Sequence, residues 1–135
     1  MAYMNQDRKA KLAPAIKAIL KRYGVKGTLA TGPHSLILNI KSGPLDFMTD
    51  FNNTIGEKAH MYRYFTPVDK YIVVNTYHYR DHFSNKVIRK FLDEITDAMN
   101  VGNHDNSDIQ TDYFDVGWYI DINIGKWNKP YILEA

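Results

Sequence analysis

Apolar positions along the chain recur with two periods, and each period predicts a different element. Between 5 and 23, Leu12, Ala13, Ile16, Ile19, Leu20 and Tyr23 return three and four residues apart while Lys9, Lys17 and Lys21 keep to another face. That spacing predicts an amphipathic helix, which Gly24 stops. Pro14 lacks an N–H and disfavours helix at Ala13, so a kink, or a true start nearer Ala13, is expected. A second stripe, Val87, Ile88, Phe91, Leu92, Ile95, Ala98 and Met99, predicts a helix from Asn85 to about Asn100 with Ser84 as its N-cap.

The other period is two. Val25–Thr31 and Ser35–Lys41 read as strands joined by Gly32-Pro33-His34, with Leu36, Leu38 and Ile40 on one face and Ser42-Gly43-Pro44 as the closing turn. Lys70–His78 is rich in β-branched and aromatic residues and predicts a central strand, Ile72 and Val74 on one side, Tyr71, Val73, Asn75 and Tyr77 on the other. In Val116–Ile124, the residues Val116, Trp118, Ile120, Ile122 and Ile124 alternate with Tyr119, Asp121 and Asn123. Between 45 and 68, Leu45, Phe47, Met48 and Phe51 suggest a short helix before an irregular stretch. The order is α-β-β-(short α)-β-α-β, which predicts one α+β domain spanning 1–135: an antiparallel sheet of about four strands with two amphipathic helices on one face.

If the helices cover the apolar face, the opposite face gathers Asn39, Lys41, Asn75, Tyr77, Tyr119, Asp121 and Asn123. Exposed tyrosines suit binding, because they offer large contact area at low entropy cost. A merely solvated sheet face has the same pattern.

Composition narrows the chemistry. The 135 residues include no cysteine, which removes disulfides, thiolate nucleophiles and cysteine-containing zinc sites together and fits a cytoplasmic location. The polar N-terminus has no signal-peptide core, and no run of about 18 apolar residues predicts a membrane span. The net charge of +2 conceals an asymmetry. Residues 1–41 hold eight basic side chains against Asp7 alone, whereas 93–121 hold eight acidic ones and no Lys or Arg. A two-sided charge distribution is expected if these segments lie apart. The basic set Lys9, Lys17, Lys21, Arg22 and Lys26 is the candidate nucleic-acid surface, and Asp108 and Asp112 are candidate rim charges for a protein partner.

No phosphate-binding loop, dinucleotide fingerprint, nucleophile elbow or zinc-protease motif occurs, so no enzyme activity and no cofactor are expected. His78 and His82 stand four apart, a spacing that aligns ligands only on a helix, and the strand end and loop expected there give it no such meaning. Asp105-Asn106-Ser107-Asp108 lacks the glycine and glutamate of a calcium loop. Double-stranded RNA-binding domains share the α-β-β-β-α order, but they carry a lysine cluster at the start of their last helix, where Ser84-Asn85-Lys86-Val87-Ile88-Arg89-Lys90 is thinner.

Leu12-Ala13-Pro14-Ala15-Ile16-Lys17-Ala18, Tyr23-Gly24-Val25-Lys26-Gly27, His34-Ser35, Asn39-Ile40-Lys41-Ser42-Gly43 and the C-terminal run from Asp121 to Tyr131 give the chain a family likeness. It resembles a family of short proteins of tailed bacteriophages and prophages. The resemblance names no activity. It implies the cytoplasm of a bacterial host and a role in binding host machinery, defence systems such as CRISPR effectors included. The leading expectation is therefore a binding protein for a host protein, the second a nucleic-acid-binding accessory protein, and the third a small-ligand binder or enzyme using His and Asp side chains. The C-terminal segment Gly125–Tyr131 is the expected docking element, with Trp127 and Tyr131 as aromatic anchors and Lys126 and Lys129 beside them, the alternative being that Trp127 and Tyr131 fold back to cap the sheet.

Overall fold

The computed structural model describes residues 4–57, 67–103 and 117–134. The first helix, α1, runs from Gln6 to Tyr23 and is capped at both ends. The Asn5 side chain accepts the Arg8 N–H at 2.9 Å, and Gly24, at φ 71°, donates its N–H to the Leu20 and Lys21 carbonyls. The helix continues through Pro14 instead of starting near it. Pro14 and Ala10 are both exposed, so water can hydrate the carbonyl that loses its helical donor.

Strand β1 (Lys26–Thr31) forms an antiparallel hairpin with β2 (Ser35–Gly43), in which Leu29 faces Leu38 and Thr28 faces Asn39. Helix α2 follows at Phe47–Glu57, its first turn held by the Asp46 carboxylate accepting the Thr49 N–H at 3.1 Å. Strand β3 is Ile72–Val74, well short of the expected Lys70–His78. The reason is local: the Asn75 side chain accepts the N–H groups of Tyr77 and His78 at 3.0 and 3.1 Å, which turns the chain away from the sheet. A four-residue helix, α3 (Tyr79–His82), then occupies the region expected to be strand end and loop.

Helix α4 (Lys86–Met99) is capped by Asn85, not Ser84: the Asn85 side-chain oxygen accepts from the Val87 and Ile88 N–H groups. The N–H groups of Ser84 and Asn85 donate instead to the Asp50 carboxylate at 3.1 to 3.3 Å, tying α2 to the start of α4. Strands β4 (Tyr119–Ile124) and β5 (Ile132–Leu133) complete the described chain.

The α+β class holds, and the sheet is mixed. Its order is β1-β2-β4-β3, with β5 also paired to β2. The central pair β2–β4 is parallel, Leu36 beside Ile120 and Leu38 beside Ile122, whereas β3 is antiparallel to β4. The helices between them carry the chain from the end of β2 back to its start, where the Tyr119 N–H donates to the His34 carbonyl at 2.9 Å. Strand β3, expected to be central, lies at the edge.

Helices α1, α2 and α4 share one core with the inward face of the sheet, and Tyr79 of α3 packs against it. Ile16, Leu36, Leu38, Phe47, Phe91, Leu92, Ile95, Met99, Ile122 and Ile124 are fully buried there. Phe47 sits 5.9 Å from Phe91 and 6.2 Å from Phe83, ring centre to ring centre. Trp118 closes one end: its indole N–H donates to the Met99 carbonyl at 3.0 Å, and Asn103 exchanges two hydrogen bonds with its backbone. No helix among the described residues is long and apolar enough to cross a membrane.

The expected separation of charge is replaced by pairing where the segments meet. The basic helix α1 packs beside α4, whose second half carries Asp93, Glu94 and Asp97, and Arg22 bonds Glu94 at 2.6 Å while the Tyr23 hydroxyl donates to the same carboxylate. Asp93 is matched by Arg80 and the Tyr79 hydroxyl.

Candidate functional site

Because the described helices lie on one side, the other face of the sheet is open. Side-chain parity places Thr28 and Ala30 of β1, Ile37, Asn39 and Lys41 of β2, Tyr119, Asp121 and Asn123 of β4 and Val73 of β3 on that face. Val73 is 69% exposed, Tyr71 and Tyr119 are 45% and 44% exposed, and Asp121 is exposed beside them. At the centre, Asn39 and Asn123 are neighbours across the parallel pair, and the Asn123 side-chain Nδ2 donates to the Asn39 side-chain Oδ1 at 3.1 Å.

The C-terminal segment leaves the sheet after β4 and rejoins it at β5. Gly125 makes the exit, donating its N–H to the Ile40 carbonyl at 2.8 Å with φ at 74°. Lys126 and Lys129 exchange backbone hydrogen bonds at 2.9 and 3.1 Å, so Trp127 and Asn128 form a two-residue turn. Tyr131 then anchors the return: its N–H donates to the Lys70 carbonyl at 3.0 Å, its hydroxyl donates to the Leu45 carbonyl at 2.7 Å, and its ring stands 5.3 Å from that of Phe47. Burial pushes the Tyr131 hydroxyl well above its ordinary pKa, with the Asp46 and Glu134 charges adding to the effect. The segment ends with Ile132 and Leu133 beside Ser42 and Gly43 and with the Glu134 N–H on the Gly43 carbonyl.

This excursion walls a groove of about 620 Å³ over the carboxyl ends of the two parallel strands. Thr28, Asn39 and Lys41 line it from β1 and β2, Lys126 and Lys129 from the hairpin, and Ile132 from β5. All three lysines are exposed, and among the described residues no carboxylate lines the groove. At its border Lys26 pairs with Glu134 at 3.4 Å, and a hydrogen bond with Ser42, then the Lys26 charge, holds the Glu134 carboxyl below its ordinary pKa.

Of the expected contact residues, Tyr119, Asp121, Asn123, Lys126, Trp127 and Lys129 lie on or beside this face. Trp127 is 74% exposed at the tip of the turn. Two are placed elsewhere than on this face. Tyr131 is a buried anchor whose ring and hydroxyl are both engaged, because a return strand this short needs a core contact to hold it. Tyr77, though exposed, sits in the turn after β3 and not on the sheet. Asp108 and Asp112 lie outside the described residues. Of the candidate nucleic-acid cations, Lys17 and Lys21 are exposed on α1, Lys9 is half-buried, and Arg22 and Lys26 are engaged by Glu94 and Glu134. The histidines build no centre: among the described residues no group of three or more His, Cys, Asp or Glu is placed to hold a metal. His78 caps α3 and His82 ends it, so the pair does straddle a helix, and the His82 ring packs 5.8 Å from Phe51.

The groove itself had no single sequence signal. Thr28, Lys41 and Ile132 come from three separate strands, and β5, two residues long, is too short for any periodicity to reveal. Comparison with protein-family models, with curated proteins and with solved structures finds no match to this chain.

Proposed function

We propose that this chain is a binding protein of the phage or mobile-element type, acting stoichiometrically on a host protein through the open face of its sheet. The observation that carries this reading is the exposure of Tyr71, Val73, Tyr119 and Trp127 on a surface that no described helix covers. Apolar and aromatic groups collected on one face are costly in water and characteristic of interaction surfaces. A phage accessory role, including inhibition of a defence system, rests on the sequence resemblance and is consistent with a face built for contact. The bacterial cytoplasm is the compartment this role requires.

The test compares three forms of the tagged chain in nuclease-treated bacterial lysate: wild type, Val73→Asp/Tyr119→Asp on the open face, and Lys17→Glu/Lys21→Glu on α1. A protein retained by the wild type and the α1 variant but lost from the open-face variant supports the reading. Retention by the open-face variant, or capture that disappears for every form once nuclease is added, contradicts it.

A further inference from the structure

We propose that the groove between the C-terminal hairpin and the sheet binds a phosphorylated nucleoside, either free or as a unit of a single strand. This goes beyond the protein-binding reading and rests on the groove's lysines and polar groups, sharing only Trp127 with it. The first argument is charge. Lys41, Lys126 and Lys129 frame the groove with no carboxylate among the described residues of its lining, a charge that selects an anionic occupant. The second is hydrogen bonding. The Asn39 side-chain oxygen is engaged by Asn123, which leaves the Asn39 amide nitrogen as the donor it presents, next to the Thr28 hydroxyl. Ammonium and amide donors together match phosphate and sugar oxygens.

The third argument concerns the apolar remainder. Pro130 and Ile132 give one wall a hydrocarbon surface, and Trp127 presents its ring to solvent at the hairpin tip, flanked by the two lysines. An anion with a flat ring uses both features, the phosphate against the ammonium groups and the base against the indole. An acidic peptide would gain only exposed ion pairs, which contribute little, and would leave the indole unused.

The groove is also set in place before any ligand arrives. A Cβ on Gly125 would fall 2.5 Å from both the Lys70 carbonyl oxygen and the Tyr131 nitrogen, so the wall leaves the sheet at a fixed angle, and buried Tyr131 holds the other end. Its volume lies within the range of small-molecule sites.

Tryptophan fluorescence reads the site directly, since Trp118 is 6% exposed and Trp127 is the indole that a ligand can reach. The full chain is titrated separately with thymidine monophosphate, oligothymidylate, inorganic phosphate and oligoglutamate, with calorimetry in parallel. We expect saturable binding of the mononucleotide or the strand, weakened roughly tenfold in Lys41→Gln/Lys129→Gln and by added salt. Tighter binding of oligothymidylate than of the monophosphate assigns the strand, and equal affinity assigns the free nucleotide. Circular dichroism confirms that the variant is folded, and Lys126→Gln, a single exposed change, replaces it if it is not. The proposal is overturned if neither nucleotide probe saturates, if oligoglutamate binds as tightly, or if the lysine variants bind like the wild type. Because purified chain and defined probes are used, failure here leaves the protein-partner reading to its own test.

Discussion

Replacing Gly125 by alanine places a methyl group inside a hydrogen bond. The residue has φ 74°, and its added Cβ would lie 2.5 Å from Lys70 O and 2.5 Å from Tyr131 N, two atoms that bond each other at 3.0 Å. Holding a non-glycine residue at positive φ costs about 1 kcal/mol or more. Separating the carbonyl from its N–H partner adds about 1 to 3 kcal/mol, because the Tyr131 N–H belongs to a buried residue. Gly125→Ala is therefore expected to cost about 2 to 4 kcal/mol in all. In urea, with a slope of about 1 to 2 kcal/mol/M, that moves the unfolding midpoint down by at least about 1 M. The matched control is Gly56→Ala: Gly56 lies in α2 at ordinary φ with nothing within 4 Å of its new Cβ, so alanine there is expected to be neutral or to stabilise by up to about 1 kcal/mol. Unfolding followed by circular dichroism decides the matter. A shift below about 0.3 M for Gly125→Ala at unchanged slope would mean that the hairpin is not pinned at this point.

Two further changes probe the core and the helix pair. Phe91 is fully buried between Tyr23 and Phe47, at 5.2 and 5.9 Å, so Phe91→Ala is expected to cost about 3 to 5 kcal/mol in thermal or chemical unfolding, and an unchanged melting temperature would refute the register of α4. The hydrogen bond from Tyr23, with the Arg22 charge behind it, holds the Glu94 carboxyl below its ordinary value of 4.5. A depressed folded pKa means that the contribution is present above about pH 4.5 and is lost as pH falls through the lower, folded value. Glu94→Gln is thus expected to flatten the acid limb of the stability profile while leaving its shape above neutrality unchanged, and a variant whose acid limb matches the wild type would show that the pair contributes nothing.

How much of this could be read from the sequence depends on the range of the interaction that decides each feature. The stripes through Leu12, Ile16 and Leu20 and through Ile88, Phe91, Leu92 and Ile95 placed both long helices, because helical period and burial coincide there. Alternation at Leu36, Leu38 and Ile40 placed β2 and its inward face for the same reason. Strand direction was not legible, since alternation along β2 and β4 is the same whether they run parallel or antiparallel. The end of β3 turned on one side chain, Asn75, bonding back to its own backbone in preference to a ladder. In the candidate site, Lys126, Trp127 and Lys129 stand out as chemistry, whereas for Tyr131 the sequence leaves a docking anchor and a ring folded back on the sheet both open, and the structure puts it in the core. Amphipathic rings look alike in sequence whichever end is wet, and only the Leu45 carbonyl and Phe47, more than eighty residues away, decide the matter.

The most direct test of the account concerns Trp127, the side chain that the open face and its groove leave most available for contact. The protein retained from nuclease-treated lysate is titrated against purified wild type and Trp127→Ala, and the unfolding midpoints of both forms are measured alongside. Because Trp127 is 74% exposed, its loss is expected to change stability by no more than about 0.5 kcal/mol. Affinity for the partner is expected to fall about tenfold or more, as for an aromatic anchor in an interface. Unchanged affinity in a stably folded variant, or a loss of several kcal/mol of stability that alone explains weaker binding, would contradict the assignment of this face as the contact surface.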